Sequence, residues 1–214
     1  MAVMEQAHIE VELKFEVECE ESLLTRLKAQ GAQAQGVVDQ EDEYFAHPSR
    51  NLRKTDETLR IRTAAGLSWL TYKGPKLSKR TKIREEVEIP LTTRLAGRPT
   101  SSFPAADDDL ESHEPAELAL RQILLRMGFS ALAVVRKRRQ VFAAQTSFAG
   151  NVWQLAIGLD RVDGIGSFVE IETVAARQHW REAEQAVWQY ASLLGLQQPV
   201  KSSYLTLCLN QMDD

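Results

Sequence analysis

Charged and apolar residues alternate in HIEVELKF, residues 8–15: Glu10, Glu12 and Lys14 are spaced two apart, with Val11, Leu13 and Phe15 between and after them. Successive side chains of an extended strand point to opposite faces, so this segment has one charged side and one apolar side. Similar signals predict strands over 9–18, 37–46, 57–64, 67–73, 82–90, 132–144, 151–160, 167–174 and 201–209. Ala65-Gly66 marks a hairpin between two of them, and Asp163-Gly164-Ile165-Gly166 a turn between two others. Helical spacing of apolar residues predicts helices over 20–31, stopping at Gly31, over 115–128, starting at a proline, and over 177–195.

The charged positions recur at the strand period. Arg60 and Arg62 share a face, Lys73 sits on the face of Trp69 and Thr71, and Arg84, Glu86 and Glu88 share another. Lys137 pairs in parity with Arg139, and Glu170 with Glu172 and Phe168. A solvated sheet face accounts for any one such strand. Repetition over many strands changes the balance, because the helices also carry apolar stripes and need an apolar surface to cover. Helices outside, on the apolar strand faces, leave the charged faces to line an interior. The expected fold is α+β: a closed, eight-stranded antiparallel β-barrel, or tunnel, with helices packed on the outside. A dry interior of that kind is costly. A wet one suits a ligand rich in negative oxygens, since Lys and Arg rows match phosphate and clustered carboxylates match Mg²⁺ or Mn²⁺.

The 214 residues fit a single domain, 1–214, and 43% hydrophobic content is enough for a real core. Within it, residues 97–114, rich in Pro, Ser and Asp, read as a flexible acidic linker. A net charge of -4 argues against nucleic acid as a partner. No apolar run is long enough for a bilayer and no basic-then-apolar leader opens the chain, so a cytoplasmic, membrane-free protein is expected. Cys19 and Cys208 make no metal spacing or disulfide framework, and their apolar neighbours predict two buried free thiols. The patterns leave the oligomeric state open, a homodimer included.

Glu10-x-Glu12-x-Lys14 resembles the ExExK signature of the CYTH superfamily, the triphosphate tunnel metalloenzymes. Five further segments continue the resemblance in order: Asp42-x-Tyr44-Phe45, Leu59-Arg60-x-Arg62, Tyr72-Lys73-Gly74-Pro75, Arg84-x-Glu86-x-Glu88 and Lys137-x-Arg139. Asp160, then Gly164-x-Gly166-x-Phe168-x-Glu170-x-Glu172, and finally Ser203-Tyr204, complete it. The Lys73-Gly74-Pro75 form resembles the class IV adenylate cyclase-like branch. The resemblance implies an eight-stranded tunnel and a divalent cation, Mg²⁺ or Mn²⁺. It implies metal ligands at Glu10, Glu12, Asp160, Glu170 and Glu172, with Glu86 and Glu88 as further site carboxylates. Triphosphate contacts are implied at Lys14, Arg60, Arg62, Lys73, Arg84, Lys137, Arg139 and Lys201, and catalytic roles at Lys14, Arg62 and Lys73. The implied substrate is a nucleoside or other triphosphate. An adenylate cyclase, giving 3′,5′-cyclic AMP and pyrophosphate from ATP, is the favoured activity. A triphosphatase acting on thiamine triphosphate or inorganic tripolyphosphate is the alternative. A phosphate-binding module without chemistry is disfavoured, because anion capture does not call for so many carboxylates. None of His8, His47, His113 and His179 stands out as a base.

Overall fold

A computed structural model describes residues 8–75, 82–91 and 115–212, so the expected linker at 97–114 lies wholly outside the described residues. The strands are β1 (His8–Glu16), β2 (Gln33–Ala46), β3 (Thr58–Ala64), β4 (Leu67–Lys73), β5 (Lys82–Pro90), β6 (Ser130–Phe148), β7 (Asn151–Val162) and β8 (Gly166–Ala176). The helices are α1 (Glu20–Ala29), α2 (Ala116–Arg126), α3 (Trp180–Leu193) and α4 (Tyr204–Met212). All strand pairings are antiparallel, in the cyclic order β1-β5-β4-β3-β2-β6-β7-β8, so the sheet closes on itself. The expected barrel is present.

Strand parity explains which side of the wall is dry. Ile9, Val11, Leu13 and Phe15 of β1 are buried among α1 and α3, together with Ile157 and Leu159 of β7 and Val169 and Ile171 of β8. The helices contribute Leu23 and Leu27 from α1, and Ala183, Ala186, Val187, Tyr190 and Ala191 from α3. The small residues of α3 allow it close approach to the sheet. The apolar face therefore points outward into the helix layer, and Glu10, Glu12 and Lys14 point inward. The covering is uneven: on β5, Val87 and Ile89 are about half exposed.

Both tight hairpins use Ala-Gly. Ala65 and Gly66 between β3 and β4, and Ala149 and Gly150 between β6 and β7, all have positive φ. Positive φ at both central residues is the turn whose twist matches paired strands.

The segment expected as a strand over 201–209 is instead helical from Tyr204, and the strand-like contact lies just before it. Phe15 bridges to Pro199, the Val200 N–H donates to the Lys14 carbonyl, and α4 begins at Tyr204 with Ser203 Oγ accepting the Thr206 N–H at 3.1 Å. Tyr204, Leu205 and Cys208 form one buried helical face, and the same apolar-rich run also reads as alternation. They pack on Tyr44, Val135, Val162 and Phe168, residues of inward parity, and so stopper one end of the barrel. The cysteine expectation holds for one residue only: both thiols are free, Cys208 is buried, and Cys19 is exposed at the start of α1.

Candidate functional site

The inward faces enclose a cavity of about 390 Å³ between the α4 stopper and the far rim. Its wall carries acids from β1, β5 and β8 and bases from β3, β4, β5 and β6.

One part of the wall is an acid cluster. Glu12 lies opposite Glu172 in the β1–β8 register, and carboxylate oxygens of Glu10, Glu12 and Glu172 all fall within 4.8 Å of one another. Like charges so placed repel. Burial raises the pKa of Glu10, and burial together with the Glu10 charge pushes Glu172 up to about 8. Lys73 Nζ bridges from this cluster to β5, 2.7 Å from Glu10 and 2.8 Å from Glu86. Burial acts to lower the Lys73 pKa, but Glu10, with Glu86 and Glu12, raises it on balance. Glu88 accepts a hydrogen bond from Thr71 at 2.9 Å.

Two deep carboxylates hold Arg60, Arg62, Lys137 and Arg139. Asp42 accepts both prongs of Arg62, at 2.6 and 2.8 Å, and Arg60 Nη1 at 3.1 Å. Burial opposes ionisation of Asp42, but the two guanidiniums outweigh it and hold its pKa well below the usual carboxylate range. Asp160 is fully buried and accepts from Arg139 (2.7 and 2.6 Å), Lys137 (3.0 Å) and Tyr204 Oη (2.8 Å). Arg139 also donates to Glu170. Burial and the neighbouring Arg139 pull the Lys137 pKa down to about 8. Arg60 Nε is buried without a hydrogen-bond acceptor among the described residues. A buried donor left so is costly, and an anion entering the cavity would offer it an acceptor.

Most sequence-predicted positions meet here: Glu10, Glu12, Arg60, Arg62, Lys73, Arg84, Glu86, Glu88, Lys137, Arg139, Glu170 and Glu172 all line the cavity. Three do not. Asp160 has inward parity but is covered by the Lys137, Arg139 and Tyr204 side chains that it holds. Lys14 is buried beneath the wall, its Nζ donating to the Ser202 carbonyl at 2.6 Å and lying 3.9 Å from the centre of the Tyr204 ring. Lys201 is exposed outside the tunnel, in a surface hollow with Glu184 and Trp188. Trp153 and Tyr72 also lie off the cavity wall: Trp153 packs in the helix-side core and Tyr72 donates to Glu57. The wall's aromatic groups are Tyr44 and Tyr204. Tyr44, Thr58 and Ser203 line the cavity without having been assigned a role there. Parity alone identifies Tyr44, which shares its face with Asp42.

The donor set of the acid cluster is all carboxylate oxygen, which suits a hard divalent cation rather than a soft one. Burial and neighbouring carboxylates disfavour the charged forms of Glu10 and Glu172, and a divalent cation beside them would offset that cost. Together with the anchored bases, the cavity can neutralise a chain of phosphates and a cation beside it.

A family model described as the CYTH domain matches residues 8–203. A Methanocaldococcus jannaschii protein named "putative adenylate cyclase" is 32% identical over 164 residues, covering 77% of this chain and 76% of that one. The solved structure of the PH1819 protein of Pyrococcus horikoshii superposes with a TM-score of 0.71 at 29% identity, over 94% of this chain and 99% of that chain. A Hippeastrum "putative adenylyl cyclase" described as having a dominant triphosphatase activity shares the fold, with a TM-score of 0.57 at 16% identity over 95% and 96% of the two chains.

Proposed function

The chain belongs to the CYTH family, and from that premise we propose that it is a divalent-cation-dependent enzyme that converts ATP to 3′,5′-cyclic AMP and pyrophosphate. The observation that carries this reading is the presence, in one cavity, of a carboxylate cluster and anchored guanidinium and ammonium groups. Pure anion capture needs only the second.

In this reading Glu10, Glu12 and Glu172 hold the cation, which as Mg²⁺ or Mn²⁺ supplies charge neutralisation at the phosphates. Arg60, Arg62, Arg84, Lys137 and Arg139 bind and orient the triphosphate, with Asp42 and Asp160 fixing the forks in place. Fixed donors aimed at developing charge provide most of the stabilisation in phosphoryl chemistry. Lys73 links Glu10 to Glu86 and holds the cluster's geometry. Lys14 braces the stopper from below. In the reaction the ribose 3′-oxygen bonds to the α-phosphorus, the bond from that phosphorus to the bridging oxygen breaks, the hydroxyl proton leaves, and pyrophosphate departs. Neither described histidine ring, His47 nor His179, lines the cavity, and the carboxylates that do are candidates to take the proton.

A rival reading is hydrolysis of thiamine triphosphate or tripolyphosphate, because the same charges serve attack by water. The Hippeastrum protein, with its dominant triphosphatase activity, keeps that reading in view. The test is product analysis with Mg²⁺ or Mn²⁺ and, separately, ATP, thiamine triphosphate and tripolyphosphate. Cyclic AMP with pyrophosphate is the expected result. Orthophosphate release would favour the hydrolase, and tight binding without turnover of any of the three would overturn both. Glu12→Gln is expected to abolish the cation-dependent activity while leaving the circular dichroism spectrum unchanged.

A further inference from the structure

Gly158 stands in the middle of β7, with Val141 of β6 and Glu170 of β8 on either side. Its parity is that of Asp160, toward the lumen, while Ile157 and Leu159 face the helix-side core. Glycine within a strand is unfavourable by about 0.5–1 kcal/mol relative to alanine, and it often marks a close approach. The backbone gives no reason for glycine here, since Gly158 is not among the residues of positive φ. Space gives one. A Cβ at this position would lie 2.6 Å from Arg139 Nε, 2.7 Å from its Cζ and 3.1 Å from its Cδ. The Arg139 side chain is laid directly against the bare strand.

That seat decides where the Arg139 charge sits. From it the guanidinium reaches Asp160 with two prongs, at 2.7 and 2.6 Å, and also donates to Glu170. Asp160 cannot follow a displaced guanidinium, because it is fully buried and also holds Lys137 and Tyr204. A side chain at 158 would therefore require Arg139 to shift from this seat.

We infer that Gly158 is a positioning residue for triphosphate binding: its missing side chain seats Arg139 against β7, in the place from which it meets the phosphates. The inference rests on the triphosphate reading given above. The test compares wild type, Gly158→Ala, Arg139→Ala and the double variant, measuring tripolyphosphate binding by calorimetry without added metal, and thermal midpoints. Gly158→Ala should bind about tenfold more weakly, the size of one charge-assisted hydrogen bond. In the Arg139→Ala background the same change should alter binding by less than about twofold, since the effects of residues in contact do not add. Equal binding by wild type and Gly158→Ala, or the same loss in both backgrounds, would overturn the seat. If Gly158→Ala fails to fold but the double variant folds, the rescue supports it; if both fail, it is wrong. If wild type binds no tripolyphosphate, the triphosphate reading falls, and coupling between the thermal midpoints of the four proteins still decides the seat.

Discussion

Individual carboxylates in the barrel do two different jobs, and their surroundings separate them. Asp42 and Asp160 are enclosed and saturated with cationic donors; Glu10, Glu12 and Glu172 face the cavity and crowd one another. Removing one partner of a buried ion pair strands the others, at about 3–5 kcal/mol. Asp42→Asn should therefore lower stability in urea unfolding at pH 7 by about that amount, leaving Arg60 and Arg62 uncompensated. The sign with pH follows from the depressed Asp42 pKa. Its contribution is fully present above the ordinary aspartate pKa and is lost as pH falls below it toward the native value. The gap between wild type and Asp42→Asn should thus narrow below about pH 4, and a gap unchanged at pH 3 would remove Asp42 from its anchoring role. Parity made these side chains legible as residents of one interior, because parity is a local property of a strand. It could not separate Asp160 from Glu172. Both are acids of inward parity on late strands, and what distinguishes them is depth and the donors supplied by β6 and α4.

Strands and helices here reverse the usual arrangement of a small barrel, with the dry side outside. The alternation of β1 and the stripe of α3 are halves of one interface, which is why the helix positions and the strand faces could be read together. The chain's last described element was less legible, since Tyr204, Leu205 and Cys208 suit a strand or a helix and only docking into the barrel end selects the helix. On α3, Ala186 is fully buried against the sheet. Ala186→Leu should overpack that seam and destabilise by about 1–3 kcal/mol in urea unfolding. Tripolyphosphate affinity should change little, because the seam lies on the opposite side of the wall. A large loss of affinity at unchanged stability would mean that the helix layer tunes the cavity.

Across the whole molecule, closure is the organising fact: β1 is paired on both sides, with β5 and with β8. Native-state hydrogen exchange should find the central β1 amides among the slowest to exchange, as protected as those of β7, because an interior strand opens only with the body of the fold. Early exchange in β1 would mean that the seam breathes. The same seam sets an order of events during synthesis. Glu10 and Glu12 leave the ribosome early, but Glu172 comes from the eighth strand, on the far side of the long β2–β6 pairing. Contacts that distant in sequence form slowly. A nascent chain paused before residue 166 therefore carries two of the three acids of the cluster and an open sheet edge. It should be unable to hold cation or triphosphate, and neither can template its folding until the last stave arrives.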